Sequence, residues 1–597
     1  MNPQTATSTT DVVIRLVGES GEGTVSLGDL LVQMFTAMGL DIYTFQTFPA
    51  EIKGGTVMYQ VRARSGIVLS HGDAADVLVA LNSEGFGLFG DGLREGGILV
   101  YNSDVFTPTP DPSRTDYALP ITTLARREKE NVRHEIEGEA LKRLPAPVNI
   151  VGLGALLRLV DAPLLPAEQY IQDLFGRKGD AIVRMNISAL HTGAQCIAEQ
   201  MEGKRTPHVY PVERPSPVLR VNGNQMLAMG AIAAGMRFYA GYPITPATEI
   251  MEFLAKELPA FGGDVIQAED EIAALGMAIG AGYAGKKAMT ATSGPGLSLM
   301  VEQINLAGQA EIPVVIVDVQ RGGASTGLPT KTSQGDLNIA LYGVHNESPR
   351  IVIAPTSIED AFWTIVEAFN LAEAYQCPVI VLSEQALGTR ICTVPPPDLT
   401  KVKTVNRLMP TLEERQDGYL RYRDTETGVS PMAIPGMEKG AYTTTGIEHD
   451  EEGNPGYTPQ LAAKMKAKRF RKLDTCNRER GRDFVHFWGE PGEAEVGIIA
   501  FGATEGVIRE ATERARAEGF RVAHLHLKML NPLPVEIIEE FGARCRKILV
   551  PELNWSGQLA NWLRVNTSLK LHKFHKDEGI PFIPNEIYQQ IIALAAH

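Results

Sequence analysis

The chain has 597 residues, 44% of them hydrophobic, with 58 glycines, a length for about three or four domains and a composition suited to α/β architecture with many tight strand-to-helix turns. Its formal net charge of −15 argues against a nucleic-acid partner. No segment approaches about 18 uninterrupted apolar residues, so no membrane span is expected, and Met1–Thr10 carries neither a basic region nor an apolar run, so the expected location is cytoplasmic.

The first unit is expected over residues 1–205. It opens with the strand Val12–Val17, the turn Gly18-Glu-Ser-Gly21-Glu-Gly23 and an apolar helix from Val25 to Gly39. A glycine-rich βα turn suggests dinucleotide binding. Here the spacing is G-x-x-G-x-G, and Glu19 and Glu22 put negative charge where a pyrophosphate would lie. Gly90-Asp91-Gly92 reads as a surface turn ahead of a strand.

A proline-rich linker, residues 206–219, leads to a second unit over 220–395. After the strand Met236–Ala240, the two prolines of Tyr242-Pro243-Ile244-Thr245-Pro246 forbid a central strand and predict a stiff turn presenting Thr245 to a cleft; the plainer alternative is a turn with Thr248 as N-cap. The strand Asp264–Ala268 is followed by Glu269 and a small-residue helix Ile272–Gly282, and the strand Lys287–Thr292 by Ser293-Gly294-Pro-Gly296. Ile312–Val319 reads as a fully buried parallel strand. Arg321 stands at its carboxyl end, where open α/β sheets bind ligands, and its planar fork matches a carboxylate; alternatively it pairs with Asp318 or Asp336. Further strands are expected at Ile351–Ala354 and Cys377–Leu382, and Pro395–Pro397 close the unit.

Residues 396–490 form a connecting region. Its Glu448-His449-Asp450-Glu451 fits an acidic turn better than a metal site, and its basic run Lys464–Lys472 fits the solvated face of a helix. The last unit, 491–597, alternates the strand Val496–Gly502, a helix through Ala515, the strand Val522–His526 and the strand Lys547–Asn554. His524, His526, His572 and His575 read as strand and surface residues. Cys196, Cys377, Cys392, Cys476 and Cys545 show no Cys-x-x-Cys, so they read as reduced thiols, with no iron–sulfur spacing in this chain.

Three segments, Gly241-Tyr-Pro-Ile-Thr245-Pro, Ala268-Glu269-Asp-Glu271-Ile-Ala-Ala and Arg321-Gly-Gly-Ala-Ser-Thr-Gly-Leu-Pro329-Thr330, together resemble the pyrimidine-binding domain of the 2-oxoacid:ferredoxin oxidoreductases. The whole chain resembles a fused subunit of that family: a γ-type α/β domain, a thiamine-diphosphate pyrimidine-binding α/β domain and a transketolase carboxyl-terminal-like α/β domain. The departure is Ala324, where related sequences usually have proline.

The resemblance implies a thiamine site lined by Tyr242, Pro243, Ile244, Glu269, Ser293 and Gly294, with Glu269 as the catalytic carboxyl, partly desolvated. Asp270 and Glu271 compete for that role, and only the family register favours Glu269. It implies Thr245 and Arg321 as the 2-oxoacid contacts, and Ser20, Gly21, Gly23 and Lys53 as coenzyme A contacts. No metal is expected on this chain, because Gly90-Asp91-Gly92 is followed by no Asn-Asn pair. The diphosphate, Mg²⁺ and [4Fe-4S] sites are expected on a β subunit, in an (αβ)2 assembly that reduces ferredoxin. The fused order points to oxidative decarboxylation of 2-oxoglutarate. Pyruvate, branched-chain or aryl 2-oxoacids are the alternative substrates, and a non-catalytic thiamine-fold assembly subunit is the alternative without a reaction.

Overall fold

The computed structural model describes residues 9–49, 54–136, 139–201, 204, 206–214, 216–416, 418–490 and 492–596. They divide into two compact units, Met1–Arg220 with Arg390–Thr393, and Val221–Thr389 with Val394–His597. Among the described residues no helix is long and apolar enough to cross a membrane.

In the first unit the strand Asp11–Glu19 lies between Thr56–Arg64, antiparallel, and Ala75–Ala80, parallel. Leu93–Asn102 and Thr115–Leu119 extend the parallel side, while Asp41–Thr47 pairs antiparallel with Thr56–Arg64. Cys392 bridges to Tyr43, so a short strand from far down the chain joins this sheet. Helices Thr24–Ala37, Val148–Leu159 and Asp180–Ala198 contribute much of the apolar core on the sheet. Gly90–Gly92 is a 3₁₀ turn before Leu93–Asn102, with Asp91 exposed.

The second unit holds two sheets. The first takes its strands in the order Met529–Asn531, Ile351–Ile353, Pro378–Glu384, Val314–Gln320, Ala288–Thr292, Phe238–Gly241, Asp264–Gln267, and all but the first pairing are parallel. Val314–Gln320 is buried at every position, as a strand covered on both faces must be. The second sheet orders Val485–Gly489, Val522–Leu527, Ala494–Phe501, Cys545–Glu552 and Leu571–His575. One apolar core runs through both sheets, including Ile316 and Ile380 from the first and Leu525 and Ile548 from the second. His524 and His526 are fully buried rather than at the surface, joined Nε2 to Nδ1 at 3.1 Å, whereas His572 and His575 are exposed.

The basic run departs from expectation. It lies in the helix Pro459–Arg480, N-capped by Thr458, and Lys468, Arg469 and Lys472 are buried. Lys468 and Lys472, one helical turn apart, both reach the fully buried Glu311 carboxylate. Lys468 Nζ lies 2.7 Å from each oxygen. Arg421 donates to the Glu311 carbonyl at 2.7 Å and stacks on Tyr422, 4.8 Å from its centroid. The acidic turn is used internally: Glu448 takes Arg469 at 2.7 Å, Glu451 takes Lys464 at 2.7 Å, and Asp450 accepts backbone N–H groups. The connecting region is thus tied down by charge pairs, and Arg407 adds another, donating to Glu373 and to the carbonyl of Gly282 in the last turn of the helix Glu271–Tyr283.

Candidate active site

Loops leaving the carboxyl ends of the parallel strands of the seven-stranded sheet carry the motif residues, as the topology requires of a ligand edge. Tyr242–Ala247 follow Phe238–Gly241; the helix after them begins at Thr248, with Ala247 rather than Thr248 at the N-cap. Tyr242 and Thr245 are exposed, and Pro243 and Ile244 are half-buried. Thr245 contributes its backbone: its carbonyl accepts from an Arg321 terminal nitrogen at 2.6 Å.

Arg321 is 8% exposed. Its other terminal nitrogen donates to Thr326 O at 2.9 Å, and its Nε is buried without a partner among the described residues. The loop that holds it closes on itself, Gly322 N to Lys331 O at 2.8 Å and Leu328 N to Gly322 O at 2.7 Å. Burial lowers the guanidinium pKa, while Asp336, Asp318 and Glu271 oppose that shift. The alternative pairing partners therefore act at a distance, and the hydrogen bonds go to carbonyls. The result is a buried cation with donor capacity left over, a natural seat for an anion.

A third carboxyl, that of Glu271, acts on Arg321 after Asp336 and Asp318, and the partial desolvation expected of Glu269 is not what the structure has. Glu269 is exposed, so it is not desolvated. Asp270 is the N-cap of the helix Glu271–Tyr283, its side chain accepting from Ala273 N at 2.7 Å, which removes it from other work. Glu271, the first helical residue, is 5% exposed and turns inward. A Cβ at Gly296 would sit 2.5 Å from its Oε1 and closer still to Thr292 Oγ1, so the glycine is what lets the carboxyl lie against the neighbouring helix. Ser293, fully buried, spends its hydroxyl on Val319 O at 2.9 Å and ties two strand ends together.

Sequence reasoning did not anticipate that Asp318 and Asp336 contact each other as well as facing Arg321. In the first unit, Gly21 and Gly23 have φ of 99° and 97° and line, with Glu22, Asn102 and Asn149, a cavity of about 280 Å³. Glu22 folds back onto Glu19 N and Asn82 Nδ2, at 2.6 and 2.7 Å. Ser20 is exposed in this turn, and Lys53 lies outside the described residues.

Comparison with known proteins gives the family. Family models match three stretches: pyruvate flavodoxin/ferredoxin oxidoreductase, thiamine diphosphate-binding, over 229–468; pyruvate ferredoxin/flavodoxin oxidoreductase over 13–196; and pyruvate:ferredoxin oxidoreductase core domain II over 494–577. The 2-oxoglutarate oxidoreductase subunit KorA of Mycobacterium tuberculosis is 34% identical over 615 residues, spanning 98% of this chain and 92% of that protein. The chain belongs to the 2-oxoacid:ferredoxin oxidoreductase family. Another member, 2-oxoacid:ferredoxin oxidoreductase 2 subunit alpha of Aeropyrum pernix, is 31% identical with 94% of each chain covered. Among solved structures, the 2-oxoglutarate:ferredoxin oxidoreductase of Magnetococcus marinus, with 2-oxoglutarate, coenzyme A and succinyl-CoA bound, matches with TM-score 0.91 and 40% identity, covering 98% of this chain and 99% of that one.

The residues fit the pyrimidine half of a thiamine diphosphate site. A buried carboxyl lies in a glycine-made recess. Among the described residues the five thiols are free, and burial pushes Cys377 up to about 12 and Cys392 and Cys545 up to about 11.

Proposed function

We propose that this chain is the fused γ/α subunit of a 2-oxoglutarate:ferredoxin oxidoreductase, forming succinyl-CoA and CO2 and passing two electrons singly to ferredoxin, reversibly. The observation that carries the reading is the buried Arg321, with its unpartnered Nε, beside the buried Glu271. Arg321 grips the 2-oxoacid carboxylate and Thr245 borders the same pocket. Tyr242, Pro243, Ile244, Gly294 and Gly296 border the pyrimidine, and Ser293 fixes the loop. These residues would hold the pyrimidine of thiamine diphosphate, which would supply a nucleophilic carbon for the 2-oxo group. Glu271 holds a proton against the pyrimidine ring nitrogen, and its burial excludes water from that contact. The small cavity at Gly21 and Gly23 is suited in size to part of coenzyme A.

A partner subunit supplies the diphosphate and Mg²⁺ site and the [4Fe-4S] cluster, in an (αβ)2 assembly. Tyr242, Ile272, Met277, Leu299 and Leu328 are exposed, uncharged residues on the elements around the cleft, the composition of an interface core.

The test is reconstitution with the partner and viologen reduction across pyruvate, 2-oxoglutarate, branched-chain and aryl 2-oxoacids. Glu271→Gln should lower kcat by roughly two to four orders of magnitude, the usual worth of acid–base catalysis, and Glu269→Gln should be near wild type. The opposite order would remove Glu271 from the role.

A further inference from the structure

The strand Val314–Gln320 carries one charged residue, Asp318, and it is wholly buried. Neither carboxyl oxygen meets a donor among the described residues. What it touches is a second carboxyl, that of Asp336. Asp336 Oδ2 is also buried without a donor, while the Asp336 N–H donates to Gln320 Oε1 at 3.1 Å and pins its loop to the strand end. A Cβ on Gly294 would lie 2.7 Å from Asp336 Oδ2, so this pair presses on the first residue of the helix Gly294–Gln309. Two contacting carboxyls out of water cannot both be ionised at modest cost; one proton between them turns repulsion into a hydrogen bond.

The groups facing the pair are few. Arg321 is the cation, from the loop after the strand. Glu271, at the start of its helix, faces Arg321. The neighbouring strands set Thr292 and Leu382 beside Asp318, and Glu384, further along, is occupied by Gln334 Nε2 at 2.7 Å and Ala503 N at 2.9 Å.

We infer that Asp318 and Asp336 share one proton and regulate the charge around Arg321, taking up a second proton from solvent when a 2-oxoacid carboxylate docks on that guanidinium. This rests on the reading of Arg321 as the substrate anchor. With one proton the pair carries a single negative charge that faces the empty anchor; with two it is neutral, and the substrate carboxylate takes its place. Burial holds Asp318 well above the usual carboxylate range and raises Asp336 to about 6, so the pair changes charge just below neutrality. A new negative charge on Arg321 pushes that step upward through neutrality.

The experiment is calorimetry on the assembled, thiamine-loaded complex with N-oxalylglycine, the amide isostere of 2-oxoglutarate, in buffers of different ionisation enthalpy. Wild type should take up roughly half a proton per site at pH 7 and almost none at pH 9, with affinity weakening several-fold from pH 6.5 to 8. In Asp318→Asn the amide donates to Asp336 and fixes the charge at one, so uptake should vanish and affinity should become flat with pH; Asp336→Asn serves if that variant fails to fold. Binding to wild type without proton uptake, or undiminished uptake in both variants, overturns the inference. Arg321→Lys separates the two readings: unchanged affinity in it rejects the anchor, while lost affinity with no uptake in wild type rejects the carboxyl pair alone.

Discussion

Replacing Glu311 by Gln keeps the shape of a fully buried side chain and removes the carboxylate that acts on three buried cations, Lys468, Lys472 and Arg421. In the native protein these cations hold the Glu311 carboxyl well below the usual range against its burial, and the excess positive charge shows in Lys468, which burial pushes down to about 7. Burial already lowers the Lys472 pKa, and Glu311 opposes that shift. Without Glu311 the ammonium loses this support, and at about 1.4 kcal/mol per pH unit, shedding the proton at pH 7 rather than at the ordinary 10.5 costs at most about 5 kcal/mol. That matches the roughly 3–5 kcal/mol for breaking a buried pair from one side. The sign with pH follows from the lowered lysine pKa: the unfolded chain binds the extra proton between 7 and 10.5, so the deficit shrinks as pH rises, to about 2 kcal/mol at pH 9. Hydrogen exchange of peptides from the helix Pro459–Arg480 reads this as a local opening free energy. Lys472→Met added to the Glu311→Gln variant should restore a large part of the loss. A deficit under about 1 kcal/mol at pH 7, or one equal at pH 7 and 9, would refute the reasoning.

Arg321→Lys keeps the charge and loses the fork; one charge-assisted hydrogen bond of about 1.5–3 kcal/mol predicts a fall in kcat/KM for 2-oxoglutarate of roughly 10- to 150-fold with an unchanged melt of the complex. The isolated chain should be colourless and inactive, and an iron–sulfur absorbance band from it alone would contradict the split site. Ile272→Asp with Met277→Asp should weaken assembly with the partner at least about tenfold in titrated gel filtration while the chain alone melts as wild type; intact assembly would move the interface elsewhere. His526, buried and held down to about 4 from 6.5, stays neutral while the unfolded chain protonates, so stability should fall by up to about 3 kcal/mol from pH 6.5 to 4, and a flat profile over that range would contradict a neutral imidazole.

The buried parallel strands were legible because a strand covered on both faces leaves a continuous apolar run, as in Val314–Gln320. The place of Arg321 at the carboxyl end of that run was legible too, though not the depth of its burial. The choice among Glu269, Asp270 and Glu271 was not, although Asp270 in N-cap position carried a usable signal: it fixes where the helix starts and so which carboxyl turns inward. The roles of Lys468 and Lys472 were hidden, since Glu311 lies 157 residues from Lys468 and local spacing reports nothing about partners so far away. The Asp318 and Asp336 contact was hidden likewise, since a loop, not a repeating pattern, brings them together.

The four residues Arg390–Thr393 bear on how such a protein can be divided. The backbone passes from one unit to the other after Arg220, again after Thr389 and once more after Thr393. The visiting segment is stitched in by Ile42 N to Thr393 Oγ1 at 2.9 Å, Thr44 N to Ile391 O at 3.0 Å and Ile391 N to Thr44 Oγ1 at 2.7 Å. A gene cut within the linker would therefore encode two polypeptides that still recognise each other, because the downstream product carries the strand Cys392–Val394, which continues the upstream sheet beyond Asp41–Thr47. Fusion and fission at that point exchange a covalent tether for a complementing one, and a fragment made to stand alone would need that edge closed by other means.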